Sequence, residues 1–471
     1  MKYRIPKVLH SEGYFEYVNI ICIFLQNNYN FYYIIPINAN KTLMKLIKVE
    51  IGGYRNIDSA SISFSEITTL VSVNSYGKSN LINAIDFASR FISADSRLKH
   101  QMMSDALCVP MNKETAGRDF RADFLFLTES MGTNYYADYG FSFEWIRDDG
   151  GCRITGEWLT VKEDRKGQKP NQLILREDRE KILYRAQREG RCSTKINAGD
   201  DELVINRLMM QDRLYYLRLV KELNSFRVYQ ERHFDTAMLF SSLVSIKSEN
   251  YSFDLNQIDS IPRMVYELKE KYPDRYEILT DAFCQLFPNI RSIDVRELDF
   301  WKLHDIKPAS DLPFTMKHKI YSMYVNDVNL NQPLNVSVLS DGARRVFLML
   351  TAAIVADIEG LPLIAIEEPE NSIHPGLLQN YLNVLSQLAG SCRILMASHS
   401  PYIIQYVSTA DIYIGRPNSA GLARFSRIKS SKVKELLNDS KQSDESVGDY
   451  IFDLLSGSAD DAAILLGYLE D

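Results

Sequence analysis

The stretch of sequence that decides the fold is Thr68-Thr69-Leu70-Val71-Ser72-Val73-Asn74-Ser75-Tyr76-Gly77-Lys78-Ser79. Its first half is a short apolar run typical of a buried strand, and a helical pattern follows over 79–91. A polar loop that ends in Gly-Lys-Ser between such a strand and helix is typical of a phosphate-binding loop. We expect backbone N–H groups, the helix N-terminus and the Lys78 ammonium to bind phosphate, and the Ser79 hydroxyl to ligate Mg²⁺.

This loop departs from the usual pattern at two positions. Ser72 and Ser75 stand where the pattern has glycine. Glycine at the first position relieves backbone strain, so its loss weakens the match without removing a ligand. The three residues 77–79 alone also occur by chance in ordinary loops. The predicted nucleotide-binding residues of this segment are Asn74, Ser75, Tyr76, Gly77, Lys78, Ser79 and Asn80.

A second motif ends a strand with two adjacent acids. In Leu363-Ile364-Ala365-Ile366-Glu367-Glu368-Pro369-Glu370, four apolar residues deliver both carboxylates to the C-terminal edge of a buried strand. Ligands bind at that edge in open α/β sheets. We assign Glu367 to Mg²⁺ and Glu368 to the water that attacks a phosphate. The alternative is a solvated acidic loop, against which the apolar strand and Pro369 argue.

Two further motifs are ambiguous when each is considered alone. Leu339-Ser340-Asp341-Gly342-Ala343-Arg344-Arg345 starts a helix and could offer a hydroxyl and free N–H groups to a phosphate, but it could equally be an ordinary N-cap. In Ser398-His399-Ser400-Pro401, the histidine follows a strand and could hydrogen-bond a γ-phosphate, or could be structural. The residues predicted from the helix start are Ser340, Asp341 and Gly342.

The order of the four motifs is that of ABC-type ATPases. With Tyr54-Arg55-Asn56 and Ile373-His374-Pro375, the chain resembles the RecF/SMC-like branch of these enzymes. Within this branch it is similar to the ATPase domain of overcoming-lysogenisation-defect (OLD) proteins and to phage-defence ATPases such as PtuA of Septu and retron systems. The pair Glu367-Glu368, where many ABC ATPases have Asp-Glu, also resembles this group.

The resemblance implies a head-to-head dimer that binds and hydrolyses ATP with Mg²⁺, and the expected assembly is this homodimer or a higher homo-oligomer. ATP bound at Lys78 of one subunit would contact Ser340 and Gly342 of the other, and Glu368 and His399 would be catalytic. The resemblance also implies that Arg55 touches phosphate. Turnover could be slow because of Ser72. No glutamine loop can be placed, and Gln101 is a poor match for one.

The resemblance and the strand pattern together predict an α/β fold, an ABC-type P-loop NTPase core split by an antiparallel β arm and a helical insertion. We predict a strand over Leu46–Ile51, a turn at Gly52-Gly53, and a later strand over Val336–Leu339. The predicted divisions are an N-terminal extension (1–43), the first half of the core (44–115), the β arm (116–200), the mostly helical insertion (201–330), the second half of the core (331–415) and C-terminal tail helices (416–471).

Composition limits the classes of function. Charged residues make up 24% of the chain and the net charge is −7, which argues against a surface that binds nucleic acid throughout. Six scattered cysteines are typical of reduced thiols in a cytoplasmic protein. No apolar run approaches the roughly 20 residues of a membrane helix, so no membrane partner is expected. Residues 1–43 are either an upstream extension before a true start at Met44, or an edge strand and helix.

OLD proteins carry a metal-dependent nuclease after the histidine motif, and too few residues follow Pro401 for such a domain. The resemblance therefore implies a separate effector, a nuclease or toxin, controlled by this ATPase as the sensor of an antiphage system, with nucleic acid bound through the complex. The alternative is a RecF-like DNA-repair ATPase. A transporter subunit is disfavoured by the long insertion, and a scaffold that binds ATP without turnover stays open because of Ser72.

Overall fold

The computed structural model describes residues 44–73, 76–130, 132–148, 150–231, 236–240, 253, 255, 260–299 and 319–470. These residues belong to one unit, Leu43–Asp471. The extension predicted for 1–43 lies outside the described residues, so both of its interpretations stay predictions.

The described strands and helices follow an α/β order. The strands are β1 (Lys45–Tyr54), β2 (Ile57–Ser63), β3 (Ile67–Val71), β4 (Phe120–Ser130), β5 (Thr133–Glu144), β6 (Arg153–Glu163), β7 (Asn171–Glu177), β8 (Lys181–Tyr184), β9 (Thr194–Lys195), β10 (Val228–Glu231), β11 (Ile290–Asp299), β12 (Lys319–Asp327), β13 (Leu334–Asn335), β14 (Leu363–Glu367), β15 (Arg393–Ser398), β16 (Ile412–Pro417) and β17 (Ala423–Arg427). The α-helices are α1 (Lys78–Ser93), α2 (Ser96–Met103), α3 (Val204–Leu208), α4 (Leu217–Asn224), α5 (Thr236–Leu239), α6 (Ile261–Lys271), α7 (Pro273–Leu286), α8 (Asp341–Glu359), α9 (Pro375–Ala389), α10 (Pro401–Tyr406), α11 (Val433–Gln442), α12 (Val447–Ser456) and α13 (Ala459–Tyr468).

A six-stranded sheet with the order β10-β14-β15-β3-β16-β17 forms the centre of the molecule. Neighbouring strands from β10 to β16 run parallel, and β17 is antiparallel to β16. Both faces of a parallel sheet are normally covered. Here alternate residues of β14 pack into two separate cores, Leu363 and Ala365 beside α1, and Ile364 and Ile366 beside α8 and α9. The carboxyl ends of β3, β15, β14 and β10 therefore meet at one edge.

An eight-stranded antiparallel sheet with the order β2-β1-β4-β5-β6-β7-β8-β9 covers the α1 side. The strands of the predicted β arm are thus hydrogen-bonded, through β1 and β4, to the first hairpin of the core. A buried aromatic cluster between this sheet and α1 includes Phe91, Phe120 and Phe143, and the ring centroid of Phe143 lies 4.8 Å from that of Phe91 and 4.9 Å from that of Phe120. The predicted α/β fold class is confirmed, whereas the division boundaries stay predictions.

The turn predicted at Gly52-Gly53 is wrong, because β1 continues through both glycines to Tyr54. These glycines lie where backbones approach closely. A Cβ on Gly52 would lie 2.7 Å from the carbonyl oxygen of Asp58, and one on Gly53 would lie 2.0 Å from that of Asp119. The glycines therefore permit close strand packing, and the chain reverses at the following Arg55, whose φ is 49°.

Three predicted elements differ in the structure. The strand predicted over Val336–Leu339 is a 3₁₀ turn, Val336–Val338, because the Asn335 side chain accepts a hydrogen bond from the backbone N–H of Ser337 at 2.9 Å and caps it. The mostly helical insertion also contains β10, β11 and β12, and the predicted tail helices are preceded by β17. Strand β10 pairs with β14, far along the chain, which local patterns do not reveal, whereas β11 and β12 pair with each other.

The last three helices pack against one face of the central sheet, over β3 and β16. The first turn of α12 rests on α10, since a Cβ on Gly448 would lie 2.1 Å from the carbonyl oxygen of Pro401. Pro401, two positions after His399, is the first residue of α10. Among the described helices, none combines the length and apolarity needed to cross a bilayer.

Candidate nucleotide-binding site

Helix α1 begins at the end of β3 after a left-handed glycine. Gly77 has a φ of 95°, and a Cβ there would lie 2.6 Å from the Cβ of Ala423. Only glycine fits this position without strain. The turn aims the N-terminus of α1, with its unbonded N–H groups, at the carboxyl edge of the central sheet. The predicted residues Asn74 and Ser75 lie outside the described residues, and Tyr76 is half-buried.

Lys78 is buried at this edge and surrounded by acceptors. Its Nζ donates hydrogen bonds to the carbonyl oxygen of Ser72 at 2.9 Å and to the Ser72 Oγ at 2.8 Å. A third contact, at 3.1 Å, joins Nζ to Nδ1 of His399. Burial lowers the pKa of Lys78 to about 8, although nearby Glu368 and Glu367 oppose the change.

Glu367, at the end of β14, is hydrogen-bonded to both α1 and β10. The Ser79 hydroxyl donates to Glu367 Oε2 at 2.6 Å, and the Gln230 amide donates to Oε1 at 3.0 Å. The main-chain oxygen of Glu367 accepts a hydrogen bond from Arg345 at 2.7 Å. The carboxylate is therefore fixed from both sides, between α1 and β10.

Gln230 is a site residue that the sequence analysis missed. It lies in β10, which runs parallel to β14 and pairs Gln230 with Ala365. The available signal was three strand-favouring residues, Phe226, Val228 and Tyr229, but Arg227 interrupts them and they lie within a segment interpreted as helical. The structure thus places a glutamine beside the acidic strand, where Gln101 was the only earlier candidate.

His399 follows β15 and is held near the acids by a side-chain network. Burial lowers the pKa of His399, and the Lys78 charge lowers it further, which favours the neutral imidazole, whose Nδ1 can accept a hydrogen bond from the lysine. The buried Ser398 hydroxyl donates to Glu370 Oε1 at 2.7 Å and accepts from the backbone N–H of Ser400 at 2.9 Å. This network ties the loop after β14 to the loop after β15.

Glu368 has a left-handed backbone, with a φ of 49°. Its N–H donates to the carbonyl oxygen of Ala397 at 2.7 Å, and its carbonyl oxygen accepts from Asn371 N–H at 3.0 Å. The Glu368 charge acts on both Lys78 and His399 by raising their pKa values. The second acid therefore lies within the same cluster as the lysine and the histidine.

Arg55 and Asn80 contact each other beside the start of α1. Arg55 Nη1 donates to Asn80 Oδ1 at 2.9 Å, and Arg55 Nε donates to the carbonyl oxygen of Leu107 at 2.8 Å. The Asn80 amide donates to Asn56 at 2.8 Å. The structure thus brings Arg55 and Asn80 together with the loop that precedes α1.

The predicted residues at the start of α8 make their hydrogen bonds within the first turn of that helix. Ser340 Oγ accepts from the backbone N–H of Ala343 at 3.3 Å, and Asp341 pairs with Arg344. Gly342 packs against the loop after the acids, since a Cβ there would lie 2.0 Å from the carbonyl oxygen of Ser372. Within one chain, therefore, Ser340 acts as an N-cap.

A cavity of about 480 Å³ opens beside the acidic strand and runs along α1. Its volume is that of a small-molecule pocket. The lining residues are Tyr54, Arg55, Asn83, Arg90, Asp105, Leu107, Cys108, Gln230 and Glu367.

The side-chain oxygens at this edge are suited to bind a Mg²⁺ ion that is also bound by phosphate. Among the described residues there is no group of three His, Cys, Asp or Glu side chains that could hold a metal alone. Mg²⁺ in phosphate sites usually takes one or two protein oxygens and completes its shell with phosphate and water. The Ser79 hydroxyl and the Glu367 carboxylate, 2.6 Å apart, provide such a pair.

Two family models match the chain. The family described as "AAA domain, putative AbiEii toxin, Type IV TA system" matches residues 211–405, which contain Gln230, Ser340, both acids and His399. The family described as "Protein of unknown function (DUF2813)" matches residues 44–152, which contain the loop before α1. The sequence has no significant match among curated proteins.

Several solved structures are similar in backbone. The Smc head bound to the C-winged helix domain of ScpA is 13% identical, with 83% of this chain and 99% of that chain covered and a TM-score of 0.47. The Smc head domain with an extended coiled coil from Pyrococcus furiosus is 10% identical, with 85% and 100% covered and a TM-score of 0.43. RecF bound to ATPγS, the recombination mediator of the RecFOR pathway, is 13% identical, with 81% and 98% covered and a TM-score of 0.37.

The matched AAA domain and the arrangement of the central sheet agree with each other. The parallel strands β3, β15 and β14 deliver Lys78, His399 and Glu367 to one edge, and the AAA match contains two of these three residues. Residues 211–405 therefore match an AAA domain, and the central sheet brings Lys78 to the same edge as the acids and the histidine of that segment.

Proposed function

We propose that this protein binds and hydrolyses ATP at the carboxyl edge of the central sheet. The observation that carries the proposal is the convergence there of the Lys78 ammonium, the Ser79–Glu367 pair and His399. Each group matches a need of phosphoryl transfer, in which positive charge and metal ligands stabilise the phosphate oxygens. The products would be ADP and inorganic phosphate.

In this proposal, Ser79 and Glu367 would hold Mg²⁺ through their oxygens, and the ion would neutralise part of the phosphate charge. Gln230 orients Glu367 through its 3.0 Å hydrogen bond. Glu368 accepts a proton from the water that attacks the γ-phosphorus. His399 hydrogen-bonds a γ-phosphate oxygen, and Lys78 donates to the phosphates.

The remaining predicted residues would act between two copies of the chain. We propose a homodimer in which Ser340, Asp341 and Gly342 at the start of α8 face the nucleotide of the partner. A helix N-terminus is suited to an anion because of its free N–H groups. Arg55, held by Asn80, would contact phosphate within its own subunit.

At the level of biology, we propose a sensor ATPase that controls a separate toxic effector, such as a nuclease, in an antiphage system. The description of the matched AAA family, "putative AbiEii toxin, Type IV TA system", names a toxin system. The resemblance of the motifs to phage-defence ATPases supports the same proposal.

A RecF-like DNA-binding ATPase is the second candidate. Near the β7–β9 end of the large sheet, several cations are exposed, as a DNA-binding surface requires. Others in the same region pair with acids, at 2.7 Å for Lys181–Glu177 and 3.5 Å for Arg165–Glu163, which favours a mixed-charge surface. The exposed cations are Lys166, Lys169, Arg188, Arg191 and Lys195.

The proposed activity is tested by measuring phosphate release and molar mass together, with ATP and Mg²⁺. We expect the wild-type protein to hydrolyse ATP and to double its mass when ATP is bound. Lys78→Met should lose ATP binding, since it removes the buried cation of the site. Absence of both binding and hydrolysis in the wild type would contradict the proposal, and ATP-dependent binding of duplex DNA in the same samples would favour the RecF-like alternative.

The pH dependence of ATP affinity provides a second test. Because burial lowers the pKa of Lys78 to about 8, the ammonium loses its proton above that pH. ATP binds the charged form, so the affinity should be highest below pH 8 and fall by up to about tenfold per pH unit above it. Calorimetric titrations between pH 7 and 9.5 would measure this. An affinity that stays constant over that range contradicts the prediction, and Lys78→Arg, whose charge persists, is the control.

A further inference from the structure

Ser72 places a hydroxyl where the phosphate-binding pattern has glycine, and the hydroxyl is fully buried. Its Oγ donates to the carbonyl oxygen of Val73 at 2.9 Å and accepts a hydrogen bond from Lys78 Nζ at 2.8 Å. The Ser72 carbonyl oxygen accepts a second hydrogen bond from the same Nζ at 2.9 Å. Ser72 therefore provides two of the hydrogen-bond acceptors of Lys78.

The neighbouring strand leaves space for the Ser72 side chain. A Cβ on Gly415 of β16 would lie 3.2 Å from the Cβ of Ser72 and 2.9 Å from the ring of Phe425. A larger residue at position 415 would therefore press on Ser72. Gly415, on the strand that pairs with β3, therefore leaves the space that the Ser72 side chain occupies.

The donors of Lys78 can be counted. An ammonium group has three N–H donors, and three acceptors surround it, namely the Ser72 carbonyl oxygen, the Ser72 Oγ and His399 Nδ1. A phosphate oxygen that binds Lys78 must take the place of at least one of them. The Ser72 hydroxyl is the acceptor that a glycine would lack.

We propose that Ser72 is a positioning residue whose hydroxyl competes with the phosphates of ATP for Lys78 and thereby lowers the affinity for nucleotide. The inference rests on the proposed function, because it requires ATP to bind at Lys78. The hydroxyl acts on the lysine before nucleotide binds, so it weakens binding without changing the chemical step. Its removal affects KM and leaves kcat unchanged.

The test is the dissociation constant for ATP of the full-length protein and of Ser72→Ala, measured by calorimetry with Mg²⁺, together with kcat and KM. Ser72→Ala should bind ATP about tenfold more tightly, the effect of one charge-assisted hydrogen bond. KM should fall by a similar factor with kcat unchanged. Ser89→Ala is the matched control, since Ser89 is also buried and its hydroxyl donates to the carbonyl oxygen of Asp86 at 2.8 Å.

Equal or weaker ATP binding by Ser72→Ala than by the wild type overturns the inference. A change in kcat or in melting temperature without a change in affinity also overturns it, since that pattern indicates a structural role. If Ser72→Ala does not fold, Ser72→Gly, which restores the usual residue, is measured in its place with the same expectation. Absence of ATP binding by the wild type and by both variants would instead disprove the proposed ATPase function.

Discussion

Glu368→Gln is expected to reduce ATP turnover by about 10²- to 10⁴-fold, the contribution of a general base. The neighbouring Glu367 already has one carboxylate oxygen hydrogen-bonded to Ser79 and the other to Gln230. Glu368 is therefore the carboxylate that accepts the proton of the attacking water. The amide keeps the shape of the side chain but cannot take the proton. ATP binding should therefore persist in the variant.

Persistent binding without hydrolysis should trap the ATP-dependent dimer. We would measure phosphate release, ATP affinity and molar mass for the wild type, for Glu368→Gln and for Glu359→Gln, an exposed glutamate at the end of α8 that serves as the control. Turnover within threefold of the wild type in Glu368→Gln would show that another group takes the proton. If neither the wild type nor Glu368→Gln hydrolyses ATP, the protein is a nucleotide-gated scaffold and not the enzyme that we propose.

Arg345→Met is expected to lower the free energy of unfolding by about 3–5 kcal/mol, the usual loss when one partner of a buried ion pair is removed. Arg345 Nη2 lies 3.3 Å from Glu231 Oε2, with side chains only 5% and 4% exposed. Removal of the guanidinium leaves the Glu231 carboxylate buried without that positive charge. The variant also loses the 2.7 Å hydrogen bond to the main chain of Glu367.

Denaturant unfolding of three further variants makes this test specific. Arg218→Met removes a pair between the exposed Arg218 and the half-buried Glu222, at 3.0 Å, and should cost no more than about 1 kcal/mol. The double variant Glu231→Leu/Arg345→Met should recover much of the loss relative to Arg345→Met, because no charge stays buried. If Arg345→Met lowered the free energy of unfolding as little as Arg218→Met does, the buried pair would not stabilise the fold as predicted.

The parts of the site that were predictable from sequence are those encoded locally. The loop that ends at Ser79 follows a buried strand, and the two acids end another, so apolar runs and turn residues identify both without knowledge of the tertiary structure. The order of the motifs then places Lys78, Glu367 and His399 in one site. The structure brings these three residues to one edge of the sheet.

The parts that escaped prediction depend on contacts distant in the chain. Strand β10 has four residues and pairs with β14, so neither Gln230 nor the Glu231–Arg345 pair has a local signature. The contacts of Lys78 with Ser72 depend on side-chain placement within the loop. At Gly52, the sequence pattern is that of a turn, and only the neighbouring backbone shows why glycine is needed there.

The position of β3 in the central sheet has a consequence for biosynthesis. It pairs with β15 and β16, whose residues emerge from the ribosome roughly 320 or more positions later. At about 5–20 residues per second, the strand waits on the order of 15–65 s for its neighbours. The hairpin of β1 and β2 can form during that interval, but the lysine and the acids cannot meet until β15, which lies between β3 and β14 in the sheet, has been translated. Nascent chains should therefore gain no protection from ATP until β15 has emerged from the ribosome.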